Sequence, residues 1–274
     1  MSGSSTPQAP AVTRPLSPNT GWWFVAVAIG WTWSLGFAAA AFGGAVARPL
    51  HLVALLGPVV AWGGVLVTRT DPAYRRDLLR RVVDVRQVRP VGWLGVAAVG
   101  AGVPLTAAVL ASSAGREAGI EPSLGPAVVA AAVAFAIAAG LAEEPGWRGI
   151  AHDSTVQSLG LVRSAVVLGV VWSAWHLPLY FIEGTYQHGL GVGTSEFWIS
   201  MLVRVPLAVL LVWLVVGTRG AVVAAVVAHA LGNTVGEVLA TGRTAMAAEL
   251  VLMSLAAALV LVGWLRHPTE TRRP

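Results

Sequence analysis

The chain of 274 residues contains no cysteine and, since all of its basic residues are arginine, no lysine. The first absence excludes disulfides, thiolate metal sites and a cysteine nucleophile. The second excludes lysine-based catalysis and a Walker-type phosphate loop. Charge of either sign is scarce. Charged residues make up 11% of the chain and hydrophobic ones 56%, whereas a soluble domain carries about 25% charged residues. Eighteen arginines and thirteen acids are too few to cover a soluble protein of this size. Soluble enzyme, nucleic-acid module and disordered chain therefore all fit poorly, despite a net charge of +5. In a membrane protein that excess marks arginines at an anionic lipid surface.

What the sequence has in quantity is long apolar runs. A span needs about 20 mostly apolar residues. Eight such runs occur, near 22–42, 51–68, 91–111, 125–144, 161–182, 197–216, 220–240 and 246–265. The predicted fold is all-α, a polytopic membrane bundle of about eight transmembrane helices with a central polar site. Residues 1–20, rich in Ser, Pro and Thr, read as a disordered tail, 21–267 as the bundle and 268–274 as a second tail. The first apolar run exceeds the roughly 7–15 residues of a signal-peptide core and reads as an uncleaved anchor. On this layout fourteen arginines share one side with both termini. Arg48, Arg116 and Arg243 lie on the other, and Arg204 falls inside the sixth run. The positive-inside rule makes the crowded side cytoplasmic. The expectation is a multi-pass cell-membrane protein with both termini inside. Asp71–Arg89 mixes arginines with Leu78, Leu79, Val82 and Val83, the pattern of an amphipathic helix on the inner leaflet; an ordinary basic loop is the alternative.

Ionisable groups inside a span are costly, so each points to function. Three clusters stand out. Glu143 and Glu144, followed by Arg148, close the fourth run. Adjacent carboxylates repel, and burial opposes ionising both, which is how a Glu becomes a usable base near neutral pH. Glu144 and Arg148 share a face if the helix continues, and Pro145 is compatible with a first turn or a kink. A charge cluster at a helix end is the competing reading. Trp172 and His176 lie one turn apart in the fifth run, and His229, Asn233 and Glu237 follow one face of the seventh. Structural roles compete here too: a buried His on a carbonyl, and Asn as interhelical glue. Arg204 is a candidate counter-ion for Glu237.

Groups on three helices can meet only inside a bundle. A Glu base with His and Asn donors suits water-driven acyl hydrolysis. Two His and a Glu could instead hold zinc. Other intramembrane chemistries lack their parts. There is no His-Glu-x-x-His run, no aspartate in a span and no Gly-x-Ser-Gly site, since Gly193-Thr194-Ser195-Glu196 does not fit. Glu143 also presents a difficulty: its run ends near the membrane surface, whereas the histidines lie deep. A shared site requires the fourth helix to run to about residue 150 or beyond.

At these residues the chain resembles the CPBP family of intramembrane proteases, which includes the type II CAAX prenyl endopeptidases and Abi-like proteins. The family pattern of Glu-Glu-x-x-x-Arg, Phe-x-x-x-His and His-x-x-x-Asn/Asp is met by Glu143-Glu144 with Arg148, Trp172 with His176, and His229 with Asn233. The likeness covers roughly 120–240, and the single departure is Trp172 in place of Phe. It implies an endopeptidase in which Glu143 activates water, Glu144 and Arg148 support it, His176 and Asn233 receive the oxyanion and His229 orients the water or Glu143. No cofactor is required on this reading. The metalloprotease alternative places Zn on Glu143, His176 and His229. The implied partners are a membrane peptide or protein substrate and the bilayer, with no nucleic acid. A non-proteolytic scaffold or bacteriocin self-immunity protein would keep the same motif. A proton-relay transporter is a third reading, and the lack of an internal repeat counts against it.

Overall fold

The computed structural model describes residues 16–115, 118–120 and 125–267. Twelve α-helices occur among them. The first six are α1 (Pro18–Phe42), α2 (Gly44–Ala54), α3 (Gly57–Arg69), α4 (Pro72–Val83), α5 (Pro90–Ala97) and α6 (Val103–Ser113). The others are α7 (Pro126–Glu144), α8 (His152–Trp175), α9 (Tyr186–Gly189), α10 (Ser195–Gly217), α11 (Val222–Val238) and α12 (Arg243–Arg266). Two strands of three residues, β1 (Ala118–Ile120) and β2 (Leu239–Thr241), pair antiparallel with Gly119 opposite Ala240. This ribbon is an addition to the all-helical expectation.

Six helical stretches are long and apolar enough to cross a membrane, and Val222–Val238 is a shorter apolar helix. One stretch, Pro126–Phe181, contains Gly160 at φ 73°, ψ 167°. That backbone is open to glycine and breaks the helix. The legs on either side face each other, because Ser164 Oγ lies 2.7 Å from Thr155 Oγ1 and 3.2 Å from His152 Nδ1. The stretch is therefore a hairpin of two legs, and eight apolar legs result.

The fourth leg carries the answer to the depth problem. α7 does not stop at Glu144. It continues through a π-helical segment, Pro145–Ala151, into the first part of α8. Proline has no N–H for the α-helical ladder, and a wider turn lets the helix pass it. Glu143 thus lies in the interior of a long helix.

Several sequence expectations are corrected. The bundle begins at Pro18, within the stretch assigned to the tail, and buried Leu16 is held by Gln157 Nε2 on its carbonyl at 2.7 Å. Residues 1–15 and 268–274, the rest of the assigned tails, lie outside the described residues. Arg148 is no surface arginine but is buried, so it leaves the set that orients the chain. The amphipathic segment is helical as α4, but Tyr74, Leu78 and Val82 are buried in the protein core, while Leu79 and Val83 face outward.

α4 is clasped to the hairpin outside the spans. Arg81 donates to both oxygens of Asp153, at 2.6 and 3.1 Å, and to the Gly220 carbonyl at 2.6 Å. Tyr74 donates its hydroxyl to Asp153 at 2.9 Å. Burial, reinforced by the Asp153 charge, raises the Tyr74 phenol well above its usual range. The folded state then holds a proton that the unfolded chain loses near pH 10. Its stability contribution is complete below that pH and falls as pH rises further. Alkaline melts of detergent-purified protein should show this loss, and Tyr74→Phe should flatten it above about pH 10; an unchanged slope would refute the linkage.

Candidate active site

Close backbone contact brings α7 to α11. A methyl group on Gly140 would come within 2.8 Å of the Val226 carbonyl oxygen. Likewise, one on Gly100 would come within 2.6 Å of the Ala228 carbonyl. These glycines let α11 press against both neighbours, and His229 follows directly in sequence.

Glu144 is fully buried, and its Oε1 accepts from Arg148 Nη1 at 3.1 Å and lies 2.7 Å from His229 Nδ1. Glu143, on the next face, takes a separate partner: Trp172 Nε1 donates to its Oε2 at 2.7 Å. The Trp172 ring joins the rest. Its centroid lies 5.3 Å from that of His176 and 5.5 Å from that of His229, both edge-on. The Arg148 guanidinium sits over its face, 4.3 Å from the centroid. Asn233 is partly buried one turn beyond His229. Glu143, Glu144, Arg148, His176 and His229 are thus gathered around one indole, from three helical legs.

The two histidines differ in their anchors. His176 Nδ1 is 2.8 Å from the Trp172 carbonyl oxygen, which can only accept. The Nδ1 hydrogen is therefore committed, and in neutral His176 the Nε2 carries a lone pair. His229 Nδ1 faces a carboxylate instead, to which it donates.

One expectation does not hold in the geometry. Arg204 does not pair with Glu237. Its Nη1 donates to Tyr180 Oη at 3.1 Å and to the carbonyl and hydroxyl oxygens of Ser200. The i,i+4 carbonyl and a buried tyrosine are nearer partners than a residue on another helix. Among the described residues no three His, Cys, Asp or Glu side chains are placed to hold a metal ion.

The sequence reading missed parts of the setting. His152 is buried and braces the hairpin through Ser164. Its signal is the polar run His152–Thr155 between two apolar runs. Phe24, Trp147 and Trp175 form an edge-on aromatic wall behind the site, at centroid distances of 5.0 and 6.4 Å. No local pattern marked it.

Residues 125–235 match the family model described as Type II CAAX prenyl endopeptidase Rce1-like. This stretch of the chain is similar to that family. The segment is also similar to CAAX prenyl protease 2 of Methanococcus maripaludis, with 31% identity over 121 residues. That similarity covers 43% of this chain and 45% of the archaeal protein, so the chain matches less than half of its relative's length. The matched segment runs from α7 to α11 and contains every residue gathered around Trp172.

Trp172 stands where the family pattern has Phe, and its indole N–H makes a contact that Phe cannot. Trp172→Phe should remove one hydrogen bond to a carboxylate, costing about 2 kcal/mol of stability. The aromatic face under Arg148 is kept in that variant. Thermal unfolding in detergent measures the effect. A loss below about 0.5 kcal/mol would mean that the bond contributes nothing.

Proposed function

We propose that the chain is a multi-pass membrane endopeptidase that hydrolyses a membrane-proximal peptide bond by glutamate-activated water. The observation that carries this reading is the convergence of Glu143, His176 and His229 on Trp172 inside the bundle. The similarity of residues 125–235 to the Rce1-like family model supports it.

The hydrogen-bond pattern favours a division of labour different from the one the resemblance implied. One oxygen of Glu143 is held by Trp172, which leaves the other for water. Neutral His176 offers a lone pair at Nε2 and is a second acceptor for that water. His229, anchored on Glu144, presents Nε2–H as a donor when charged, and Asn233 supplies an amide N–H one turn away. Water oxygen attacks the carbonyl carbon as its proton passes to Glu143. The tetrahedral oxyanion is received by His229 and Asn233. The proton then passes to the departing nitrogen, the C–N bond breaks, and a carboxylate and an amine leave. Every step uses the chain's own groups, and no metal is assigned a part.

The substrate class follows the relative's name only as a proposal: a lipidated C-terminal peptide presented at the arginine-rich, cytoplasmic side of the cell membrane. The test is reconstituted full chain with a farnesylated C-terminal peptide and its unlipidated counterpart, with the cut mapped by mass spectrometry. Cleavage should persist with chelator present. Inhibition by chelator that added zinc restores would overturn the metal-free mechanism, and no cut in either peptide would favour the scaffold reading.

A further inference from the structure

At the arginine-rich end of the bundle, away from Trp172, an open cavity of about 530 Å³ is lined by Arg86, Gln87, Arg89, Thr218 and Arg219. A second hollow of about 180 Å³ shares four of these residues and extends the first to Val91, Gly92 and Gly217. The crevice lies between the start of α5 and the end of α10. Gly92 allows this approach, because a methyl there would come within 3.3 Å of Thr218.

The lining has a single charge sign. No acidic side chain contributes to either hollow. Arg86 is engaged by Asp84 at 2.9 Å. Gln87 is tied to the Arg80 carbonyl at 2.8 Å and Thr218 to the Leu214 carbonyl at 2.6 Å. Arg89 and Arg219 have no side-chain partner among the described residues, so their guanidinium groups are the free donors. α5 also begins here, and a helix start adds positive potential. Val91 and Leu94, one turn apart on α5, are each 70% exposed. Apolar side chains thus flank a basic hollow.

Arg219 supplies the independent observation. α10 ends in a Schellman motif: Gly220 N–H bonds to the Val215 carbonyl at 2.8 Å and Arg219 N–H to the Val216 carbonyl at 3.2 Å. The residue at the position of Arg219 is left-handed and is usually glycine. Arg219 has φ 59°, and no other non-glycine described residue has positive φ. A strained side chain kept where glycine fits better points to a use for that side chain.

We propose that this crevice binds a phosphate group through Arg89 and Arg219, with an anionic lipid headgroup as the source that the flanking Val91 and Leu94 favour. Basic pockets between transmembrane helices at an anionic leaflet bind such headgroups. The site is separate from the hydrolytic one and stands without it.

The test is native mass spectrometry of the full chain in neutral detergent with phosphatidylglycerol, phosphatidylcholine or inorganic phosphate added. Wild type should retain phosphatidylglycerol about tenfold more than phosphatidylcholine. The Arg89→Gln/Arg219→Gly variant should lose that preference. Glycine relieves the left-handed backbone, so Arg219→Gly alone should melt no lower than wild type while binding less. Displacement of the lipid by millimolar phosphate would show that the pocket reads phosphate itself; retention would show that it reads the headgroup in its lipid setting. Absence of any preference in wild type would overturn the proposal. So would an equal loss in Arg76→Gln/Arg163→Gln, which removes two exposed arginines outside the crevice.

Discussion

Glu143→Gln should lower the rate of peptide hydrolysis by about a thousandfold, within the range for loss of a general base. The substitution keeps the shape and an oxygen that can still accept from Trp172 Nε1, the 2.7 Å bond that positions the side chain. It removes the one property the mechanism needs, a site that takes the proton from water. The melting temperature should therefore change little while turnover disappears. That separation matters because Glu143 is buried at 7% exposure, and a larger change such as Glu143→Ala mixes lost chemistry with a cavity. Single-turnover cleavage of a membrane-anchored peptide, measured beside a thermal melt, gives both readouts. A variant that keeps more than roughly a tenth of the wild-type rate would remove Glu143 from the role of base. If Glu143→Ala kept the protein's biological effect in cells, the scaffold reading would stand in place of the protease.

The bundle itself was legible because a membrane span is specified by length and apolarity alone. The eight runs reappear as eight apolar legs, with Gly160 marking one reversal. The polar residues that meet around Trp172 were legible because charge is so scarce that each buried polar group is conspicuous. What local pattern could not supply was partnership. Nothing in the spacing distinguishes His229 on Glu144 from His229 on Glu143; the choice depends on how closely α11 approaches α7, and Gly140 and Val226 set that. The different anchors of the two histidines were hidden for the same reason, since local spacing does not tell whether Nδ1 meets a carbonyl or a carboxylate. Arg148 was misplaced because a hydropathy reading ends a span at its first charges. Here the helix carries its charges inward past Pro145. α4 shows the opposite error: an apolar stripe beside arginines has the same pattern whether it meets lipid or protein.

Glu144→Ala is the second large effect, and it falls on stability first. Glu144 has no exposed surface, and the Arg148 side chain is 3% exposed. Removing the carboxylate leaves a guanidinium inside the bundle without its hydrogen-bonded counter-ion, and breaking a buried pair this way costs about 3–5 kcal/mol. The pair is not itself a strong source of stability. Glu144 Oε2 and Arg148 Nη2 are buried without hydrogen-bond partners among the described residues, so its desolvation is incompletely offset. Replacing both residues, as Glu144→Met with Arg148→Met, should therefore recover most of the loss seen in Glu144→Ala. Activity should not recover, because His229 then has no carboxylate on Nδ1 to orient its ring or support its charge. Unfolding of the three proteins in detergent, with cleavage measured on each, separates the two consequences. A double variant as unstable as the single one would mean that the ion pair holds the fold together, whereas a stable but inactive double variant would mean that the bundle carries these charges for the reaction alone.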